Sequence, residues 1–427
     1  MLDRTDRSLV GIWWWTVDKW LLASALLLMT LGVILVMAAS PAVASLINLS
    51  SQHFIVRQLI YLVPAVLIML SISMLEPRPI RALSLVGLVL VIGLMILAIV
   101  AGSEIKGATR WISVADFTLQ PSELAKITTI IALARYLCDC TTERVNEPRG
   151  FLGALCISLV PMALIVRQPD LGTAISFGAP LFPMLYWAGM RKTFIFLVIS
   201  PIISVVCSFE PLWQGAAPYI FATFITGSTA FIHLLLGRLW ITITMIAVNL
   251  SSGLITVYLW DHFLRQYQKD RIMTFLDPES DRLGSGWNII QSKIAIGSGG
   301  LTGKGFLGGT QTKYEFLPAA HTDFIFSVVG EELGFVGALI VLALFFFIIV
   351  RALTIGSMVN NRFYSLIAIG LASMLTFHVF VNIGMTIGVM PVTGLPLPFL
   401  SSGGSSLLSN LVAIGLLLHI YTYRHEY

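Results

Sequence analysis

The feature that most constrains this chain is the arrangement of its apolar residues in long blocks. Hydrophobic residues make up 57% of the 427 positions and charged residues only 11%, against about a quarter in ordinary soluble domains. One water-soluble core cannot hide so large an apolar excess, because surface grows too fast with size. The composition excludes a soluble enzyme, a disordered chain and a secreted disulfide scaffold. It predicts an all-α polytopic membrane protein.

Twelve blocks are candidates for helices that cross the hydrocarbon, which takes about 20 apolar residues. They are residues 20–42, 56–75, 82–102, 122–138, 150–167, 172–190, 193–208, 218–236, 239–260, 322–350, 363–388 and 400–423. The first block is too long for a signal peptide and lacks a small-residue cleavage site, so it is predicted to be a span. Residues 1–19 are predicted to form a tail, and residues 20–424 a single membrane domain.

The basic residues of the short loops predict the orientation, because cytoplasmic loops are enriched in Lys and Arg. With the N-terminus in the cytoplasm, few short-loop basic residues fall outside: Arg57, Lys106, Arg110 and Arg167. An even number of spans then places both termini in the cytoplasm. The basic residues are scattered, so no nucleic-acid partner is predicted.

One outer connection, residues 261–321, is far longer than the others, and such connections are usually functional or disordered. It mixes aromatic residues, an apolar stretch and a glycine cluster, which favours an ordered active-site lid over a solvated loop. Gly284, Gly286 and the glycines at 297, 299, 300, 303, 305, 308 and 309 let backbone amides approach an anion closely. With the nearby lysines they suit a phosphate or diphosphate, and a plain flexible loop is the alternative.

Several ionisable residues lie inside or at the ends of predicted spans, where charges are costly and mark functional sites. Glu123 and Lys126 share one helical face at the start of the fourth span. Asp170 follows the fifth span, and Glu331 and Glu332 are expected about 14 Å into the tenth. Together they predict a polar cavity open to the outside, with structural ion pairs as the alternative.

Six strings resemble motifs of the SEDS family (shape, elongation, division and sporulation). They are KGATRW at 106–111, QPSE at 120–123, QPDLGT at 168–173, QSKIAIGSGG at 291–300, HTDFIF at 321–326 and GLPLPF at 394–399. The resemblance implies a peptidoglycan glycosyltransferase of the bacterial plasma membrane that polymerises lipid II. It also implies a class B penicillin-binding protein as partner, with other membrane proteins of the elongasome or divisome. The centre and C-terminal half resemble the RodA branch, and the N-terminus resembles the FtsW branch.

The resemblance also implies the site. Its catalytic aspartate falls on Asp281, which would act as general base. The residues that it places at the substrate are Arg110, Trp111, Glu123, Lys126, Asp170, Lys293, Lys304, His321, Asp323 and Ser405. Arg282 stands where the family has proline, and Ser402 where it has tyrosine. The family norm is ten spans, so twelve spans imply an extra pair near 193–260.

The diphosphate leaving group needs cationic side chains or a metal ion, and Arg110, Lys126, Lys293 and Lys304 are the candidates. A divalent cation, Mg²⁺ or Mn²⁺, is expected at Asp281 with the diphosphate, and no organic cofactor is expected. The resemblance to RodA implies a role in wall elongation, and an FtsW-like role in division is the alternative. Two other classes of function also stay open. One is a flippase for a lipid-linked precursor, with an ion pathway through buried carboxylates, although no internal repeat is evident. The other is a scaffold without catalytic activity.

Overall fold

A computed structural model describes residues 9–46, 51–76, 78–105, 108–114, 117–168, 170–213, 215–262, 264, 266–281, 284, 286–314, 316–317 and 320–424. The chain forms two compact units. One consists of Met1–Ala188 together with Asn288–Tyr427, and the other of Gly189–Trp287.

The first unit begins with helices that match the first six predicted spans. They are α1 (Leu9–Thr16), α2 (Lys19–Leu46), α3 (Ser51–Met74), α4 (Arg78–Ala101), α5 (Pro121–Asp139), α6 (Thr142–Val145), α7 (Pro148–Arg167), α8 (Leu171–Ser176) and α9 (Gly178–Trp187). The predicted sixth span is therefore two helices. Pro180 explains the break, because a proline cannot donate to the carbonyl four residues earlier, at Ser176.

A small antiparallel sheet lies between α4 and α5, in the order β1–β2–β3. Its strands are β1 (Ser103–Ile105), β2 (Ala108–Val114) and β3 (Phe117–Leu119). The all-α prediction omits this sheet, since such short strands leave no trace in a hydropathy pattern. The sheet replaces an expected loop with a paired backbone, and this backbone carries Arg110 and Trp111.

The second unit is also helical. It contains α10 (Lys192–Cys207), α11 (Glu210–Trp213), α12 (Ala217–Leu236), α13 (Leu239–His262), α14 (Gln266–Leu276) and a 3-10 helix (Pro278–Asp281). Two serines of α10 bond to Asn249 of α13: Ser200 Oγ donates to its side-chain oxygen at 3.1 Å and Ser204 Oγ to its carbonyl at 2.7 Å. These buried contacts hold α10 against α13, in the region where the extra pair of spans is predicted.

The rest of the first unit contains α15 (Trp287–Ser298), α16 (Thr310–Lys313), α17 (Ile325–Glu332), α18 (Gly334–Met358), α19 (Arg362–Thr386) and α20 (Gly404–Thr422). The predicted span 322–350 is wrong as one continuous helix, because the helix breaks at Leu333 and Gly334 has φ +65°. Glu331 and Glu332 end the short helix α17 before the long apolar helix α18 begins. They do not lie nine residues into one continuous helix, and their expected depth in the membrane stays a prediction.

Among the described residues, eight helices are long and apolar enough to cross a membrane: α2, α4, α7, α12, α13, α18, α19 and α20. This confirms a helical, polytopic membrane protein, while the count of twelve spans stays a prediction. In α19 and α20, 72% and 78% of the most apolar stretch of the helix is buried inside the protein. These two helices therefore form the core of the first unit.

Residues predicted to be cytoplasmic contact one another in the first unit. Arg81 forms an ion pair with Asp139 at 2.8 Å, and Asp18 pairs with Arg351. Arg362 donates to two carbonyls just beyond α5 and α9, at 2.9 and 2.8 Å. The helix ends that the sequence assigns to one side therefore lie together. Within the first unit, several segments predicted to be outside also contact one another, among them those of Arg110 and Asp170 and those of His321 and Ser402.

Candidate active site

Arg110 and Asp170 form an ion pair that joins two of the sequence motifs. Arg110 Nη1 lies 3.1 Å from Asp170 Oδ2, and Arg110 Nε donates to the Gln168 carbonyl at 2.7 Å. Asp170 also caps α8, because its carboxylate accepts from the Thr173 amide at 3.2 Å. Trp111 follows Arg110 on β2 and is half-buried, and successive strand residues point to opposite faces. The structure thus separates Trp111 from the ion pair.

Glu123 and Lys126 belong to a buried polar quartet. Lys126 Nζ lies 2.9 Å from Glu123 Oε1 and 3.2 Å from His378 Nε2 of α19. Ser409 of α20 donates to Glu123 Oε2 at 2.9 Å. All four side chains are buried, so the quartet ties α5, α19 and α20 together. A buried charge pair of this kind needs such extra hydrogen bonds to offset the cost of desolvation.

Ser405, another predicted substrate contact, bonds to the backbone in front of α5. Its hydroxyl accepts from the Gln120 amide at 2.9 Å and donates to the Thr118 carbonyl at 3.1 Å. The side chain is buried. Ser405 therefore fixes the start of α20 to the connection between β3 and α5, and these bonds use its only donor.

The loops that carry His321 and Asp323 pack against the loop before α20. Asn382 of α19 donates to the carbonyls of Asp323 and Leu395, at 2.9 and 2.7 Å. The Ser402 amide donates to the His321 carbonyl at 2.9 Å. His321 and Asp323 are both partly exposed.

The loop before α20 also packs against the start of α8, two residues after Asp170. Gly172, in the first turn of α8, packs so closely against the Thr393 carbonyl that no side chain fits there. Gly394 follows with φ +75°, which a glycine adopts without strain. The loop 393–402 is thus the common neighbour of the QPDLGT and HTDFIF motifs.

The glycine-rich segment 299–309 is a backbone clasp, and the expectation that its amides approach an anion is wrong for Gly303, Lys304 and Gly305. The amides of Lys304 and Gly305 donate to the last two carbonyls of α17, both at 3.0 Å, and the first amides of α18 donate back at 2.9 and 3.0 Å. Gly303 has φ +79° and lies against the Glu332 carbonyl. Glycine is needed for this close packing, and the bonded amides cannot hold an anion at the same time.

Glu331 is fully buried and accepts hydrogen bonds from Lys304 in the clasp and from the three residues at 310–312. Lys304 Nζ is 2.8 Å away, Thr310 Oγ1 3.1 Å, the Gln311 amide 3.0 Å and Thr312 Oγ1 3.0 Å. Burial alone would raise the pKa of Glu331, but the hydrogen bonds from Lys304, Gln311 and Thr312 outweigh it, so the pKa lies below its ordinary value. Lys304 is thereby held by a permanent carboxylate.

Glu332, the next residue, has the opposite environment. Its side chain is buried, and within the described part of the chain its Oε2 has no hydrogen-bond partner. Burial raises the pKa of Glu332 to about 7, the charge on Glu331 adds to the effect, and a hydrogen bond from the Leu307 amide opposes it. Two adjacent glutamates thus titrate in different pH ranges.

Lys293 is exposed on α15, and its side-chain stem lies over Gly388, beyond the end of α19. The preceding residue anchors the helix: Ser292 Oγ donates to the Thr386 carbonyl at 2.6 Å and lies 2.6 Å from Ser327 Oγ. Lys293 therefore projects from a fixed position with its ammonium accessible.

Asp281 belongs to the second unit, where it ends the 3-10 helix Pro278–Asp281 and is exposed. Its carbonyl accepts from the amides of Gly284 and Gly286, at 3.3 and 3.1 Å. Gly284 lies directly against the Asp281 carboxylate, where any side chain would collide with it. The turn thus presents the carboxylate to solvent with a glycine beside it. Arg282 lies outside the described residues.

No group of three or more His, Cys, Asp or Glu side chains converges among the residues that the structure describes. Asp281 is one carboxylate, whereas Mg²⁺ prefers six oxygen ligands. These residues alone therefore do not make a metal site.

His378, Asn382 and Ser409 complete the contacts of the predicted residues, although the sequence motifs do not include them. A signal for them was present: all three are polar residues inside apolar spans, where such groups are costly. Serine and asparagine occur elsewhere in the chain as well, so composition alone does not single them out.

The sequence of this chain matches a known protein family. The model of the FtsW/RodA/SpoVE family, described as cell cycle proteins, matches residues 18–216 and 215–426. The chain belongs to this family. The match covers nearly the whole chain and confirms the SEDS resemblance.

Two relatives represent the two branches. RodA of Treponema pallidum, named a peptidoglycan glycosyltransferase, is 39% identical over 94% of this chain and 97% of its own length. An FtsW protein of Trichlorobacter lovleyi is 35% identical over 94% of this chain and 92% of its own.

Solved structures agree with the fold. A peptidoglycan synthase complex, described as coordinating polymerization and crosslinking, contains a chain that matches with TM-score 0.72 and 29% identity, over 97% of this chain and 100% of that one. RodA of Thermus thermophilus matches with TM-score 0.61 and 25% identity, over 96% and 99%.

Proposed function

We propose that this chain is a peptidoglycan glycosyltransferase that polymerises lipid II in the bacterial plasma membrane, in the RodA-like role of wall elongation. The observation that carries the proposal is the 39% identity, along almost the whole of both chains, to a relative named for this activity. The FtsW relative is named for the same activity, so the enzyme class does not depend on the branch.

The reaction joins the C4 hydroxyl of one lipid-linked disaccharide to C1 of another. The hydroxyl oxygen forms a bond to C1, the bond from C1 to the diphosphate oxygen breaks, and undecaprenyl diphosphate leaves with the electron pair. The hydroxyl is a weak nucleophile, so a base must take its proton as the bond forms. Asp281 is the proposed base, because it is an exposed carboxylate with only a glycine packed beside it in the turn. Direct displacement inverts the configuration at C1.

The leaving diphosphate concentrates negative charge, which fixed cations stabilise. Arg110, Lys293 and Lys304 are the proposed cations, since each keeps part of its side chain exposed. Lys126 is buried with Glu123 and His378, so we assign it to the packing of the site instead of to contact with the diphosphate.

A Mg²⁺ or Mn²⁺ ion at Asp281 remains a proposal. Such an ion would need the substrate diphosphate for most of its ligands, since the described residues offer no ligand cluster. The steps written above require no metal.

The proposed orientation has both termini in the cytoplasm and residues 261–321 outside, because lipid II is polymerised on the outer face. The loop charges of the sequence support this orientation. A cysteine introduced at exposed Glu279 tests it: a membrane-impermeant maleimide should label this position in intact cells, and labelling only after lysis would refute it.

The proposed partner is a class B penicillin-binding protein, supported by the likeness to a chain of a complex that couples polymerization with crosslinking. Co-purification of the tagged chain with such a transpeptidase tests the partnership. A side-wall position of the tagged chain in growing cells would support the elongation role, and a mid-cell position would favour division.

The decisive experiment uses purified protein, with and without the partner, and fluorescent lipid II. Glycan strands that a muramidase digests to disaccharides would support the polymerase. Movement of lipid II across a vesicle membrane without polymer would support the flippase and refute the polymerase. Neither product, with or without the partner, would point to a scaffold.

A further inference from the structure

A polar stripe on one buried face of α19 contacts three of the sequence motifs, and also Lys126, which lies three residues after a fourth. His378, Asn382 and Thr386 are four residues apart, so they lie along one face of the helix. Each is almost fully buried, with 3%, 0% and 0% exposure. Buried polar groups are costly unless they are paired, so their partners indicate their role.

The first contact of the stripe is to Lys126 of α5, three residues after the QPSE motif. Lys126 Nζ has only donors, so His378 Nε2 must be the acceptor in the 3.2 Å contact between them. His378 is therefore a neutral imidazole with its proton on Nδ1.

The last contact is made by the backbone of Thr386 to the QSKIAIG segment, since the Thr386 hydroxyl donates within α19 to the Ile383 carbonyl at 2.8 Å. The Thr386 carbonyl accepts from Ser292 Oγ at 2.6 Å, and this bond fixes α15 one residue before the exposed Lys293.

The middle residue joins the two loops at the proposed substrate site. Both protons of the Asn382 side-chain amide are used, one on the Asp323 carbonyl at 2.9 Å and one on the Leu395 carbonyl at 2.7 Å. A flipped amide would place its oxygen against two carbonyl oxygens, so the chemistry determines the orientation. Loss of this amide would leave two carbonyls facing each other without a donor.

We propose that Asn382 is a positioning residue, whose side-chain amide holds the loop of His321 and Asp323 against the loop of Gly394 and Leu395 in the geometry that the reaction needs. The proposal rests on the proposed function. Asn382 does not contact the reacting atoms in this account. It acts through the two backbone segments that it joins, and a displacement of about 1 Å in such a frame can lower a rate by about a hundredfold.

The chain supplies a matched control for the test. Asn410 of α20 is buried to 1% exposure and also donates two hydrogen bonds, but both go to Ser406 of its own helix, at 2.8 and 3.2 Å. Asn382→Leu and Asn410→Leu therefore each remove two hydrogen bonds from a buried side-chain amide. The bonds of Asn382 join different segments, and those of Asn410 lie within one helix.

The experiment measures kcat and KM for lipid II, together with the melting temperature, for the full-length wild-type protein and both variants with the partner present. We expect both substitutions to lower the melting temperature similarly. Only Asn382→Leu should lower kcat per folded molecule, by about tenfold or more. Equal kcat values for the two variants would overturn the proposal, because the asparagine would then have a stability role alone.

A second pair of variants covers the case in which Asn382→Leu does not fold. Asn382→Ser keeps one donor, and Asn410→Ser is its control. The proposal expects a kcat for Asn382→Ser below that of Asn410→Ser, and equal values would refute it. If the wild-type protein makes no polymer in this assay, the proposed function fails instead, so the two failures are distinguishable.

Discussion

Two adjacent glutamates should respond in opposite ways to the same substitution. Glu332 is buried with an unpartnered oxygen, and its pKa is raised from 4.5 to about 7. Such a rise corresponds to a loss of about 3 kcal/mol of folding stability when Glu332 is ionised, at about 1.4 kcal/mol per pKa unit. Below pH 4.5 the group is protonated in both the folded and the unfolded state. As the pH rises to about 7, the unfolded state ionises first, so folding loses this stability.

Glu332→Gln removes the titration and the buried charge. We expect the variant to match the wild type at pH 5 in apparent melting temperature and to exceed it by several degrees at pH 8. Glu331→Gln is the control, because Glu331 has a lowered pKa and is therefore ionised at both pH values. This control should be less stable than the wild type by about 2–4 kcal/mol at pH 5 and at pH 8, since it weakens several charge-assisted hydrogen bonds.

The assay is thermal unfolding followed by tryptophan fluorescence, in one detergent, at several pH values between 5 and 8. A constant difference between Glu332→Gln and the wild type across this range would refute the reasoning. A lower stability of Glu332→Gln at pH 8 would also refute it, since the carboxylate would then have a favourable partner.

Three further substitutions test other parts of the structure. Lys126→Met should destabilise the fold by about 3–5 kcal/mol by stranding the buried Glu123 charge, and adding Glu123→Gln should restore part of that loss in a double-mutant cycle. Gly303→Ala should lower the free energy of unfolding, measured by chemical denaturation, by more than about 2 kcal/mol, because the new methyl group meets a backbone carbonyl and φ is +79°. Gly300→Ala, at φ +58° with open space around it, should lower it by only about 1 kcal/mol. Arg110→Lys should lower the polymerisation rate by about tenfold with little change in melting temperature, because lysine cannot reproduce the two-sided guanidinium contact; an unchanged rate would contradict the assignment.

The spans were predictable because hydropathy reports them directly. Each of the twelve predicted blocks overlaps a helix of the structure. The break at Leu333 was not predictable in this way. Residues 325–358 form an almost unbroken apolar stretch, apart from Glu331, Glu332 and Arg351, and the break depends on hydrogen bonds from a glycine loop more than 20 residues earlier. Such long-range backbone pairing leaves no local pattern.

The site was predictable in its residues but not in their connections. The motifs identify Arg110 and Asp170 separately, and only the structure joins them as a pair. The glycine cluster predicts an anion site, because a sequence does not show whether the backbone amides of its glycines are free or already hydrogen-bonded. The stripe at His378, Asn382 and Thr386 could have been found by asking which polar residues share one face of an apolar helix.

The central claim is that Asp281 takes a proton from the acceptor hydroxyl while lipid II is polymerised. The most direct measurement compares glycan synthesis from lipid II by the wild type, by Asp281→Asn and by Glu279→Gln, a change at an exposed acidic neighbour on the same 3-10 helix. Loss of the base should lower the rate by about a hundredfold or more in Asp281→Asn, with the melting temperature unchanged, and Glu279→Gln should retain activity. Polymer formation by Asp281→Asn at the wild-type rate would contradict the account.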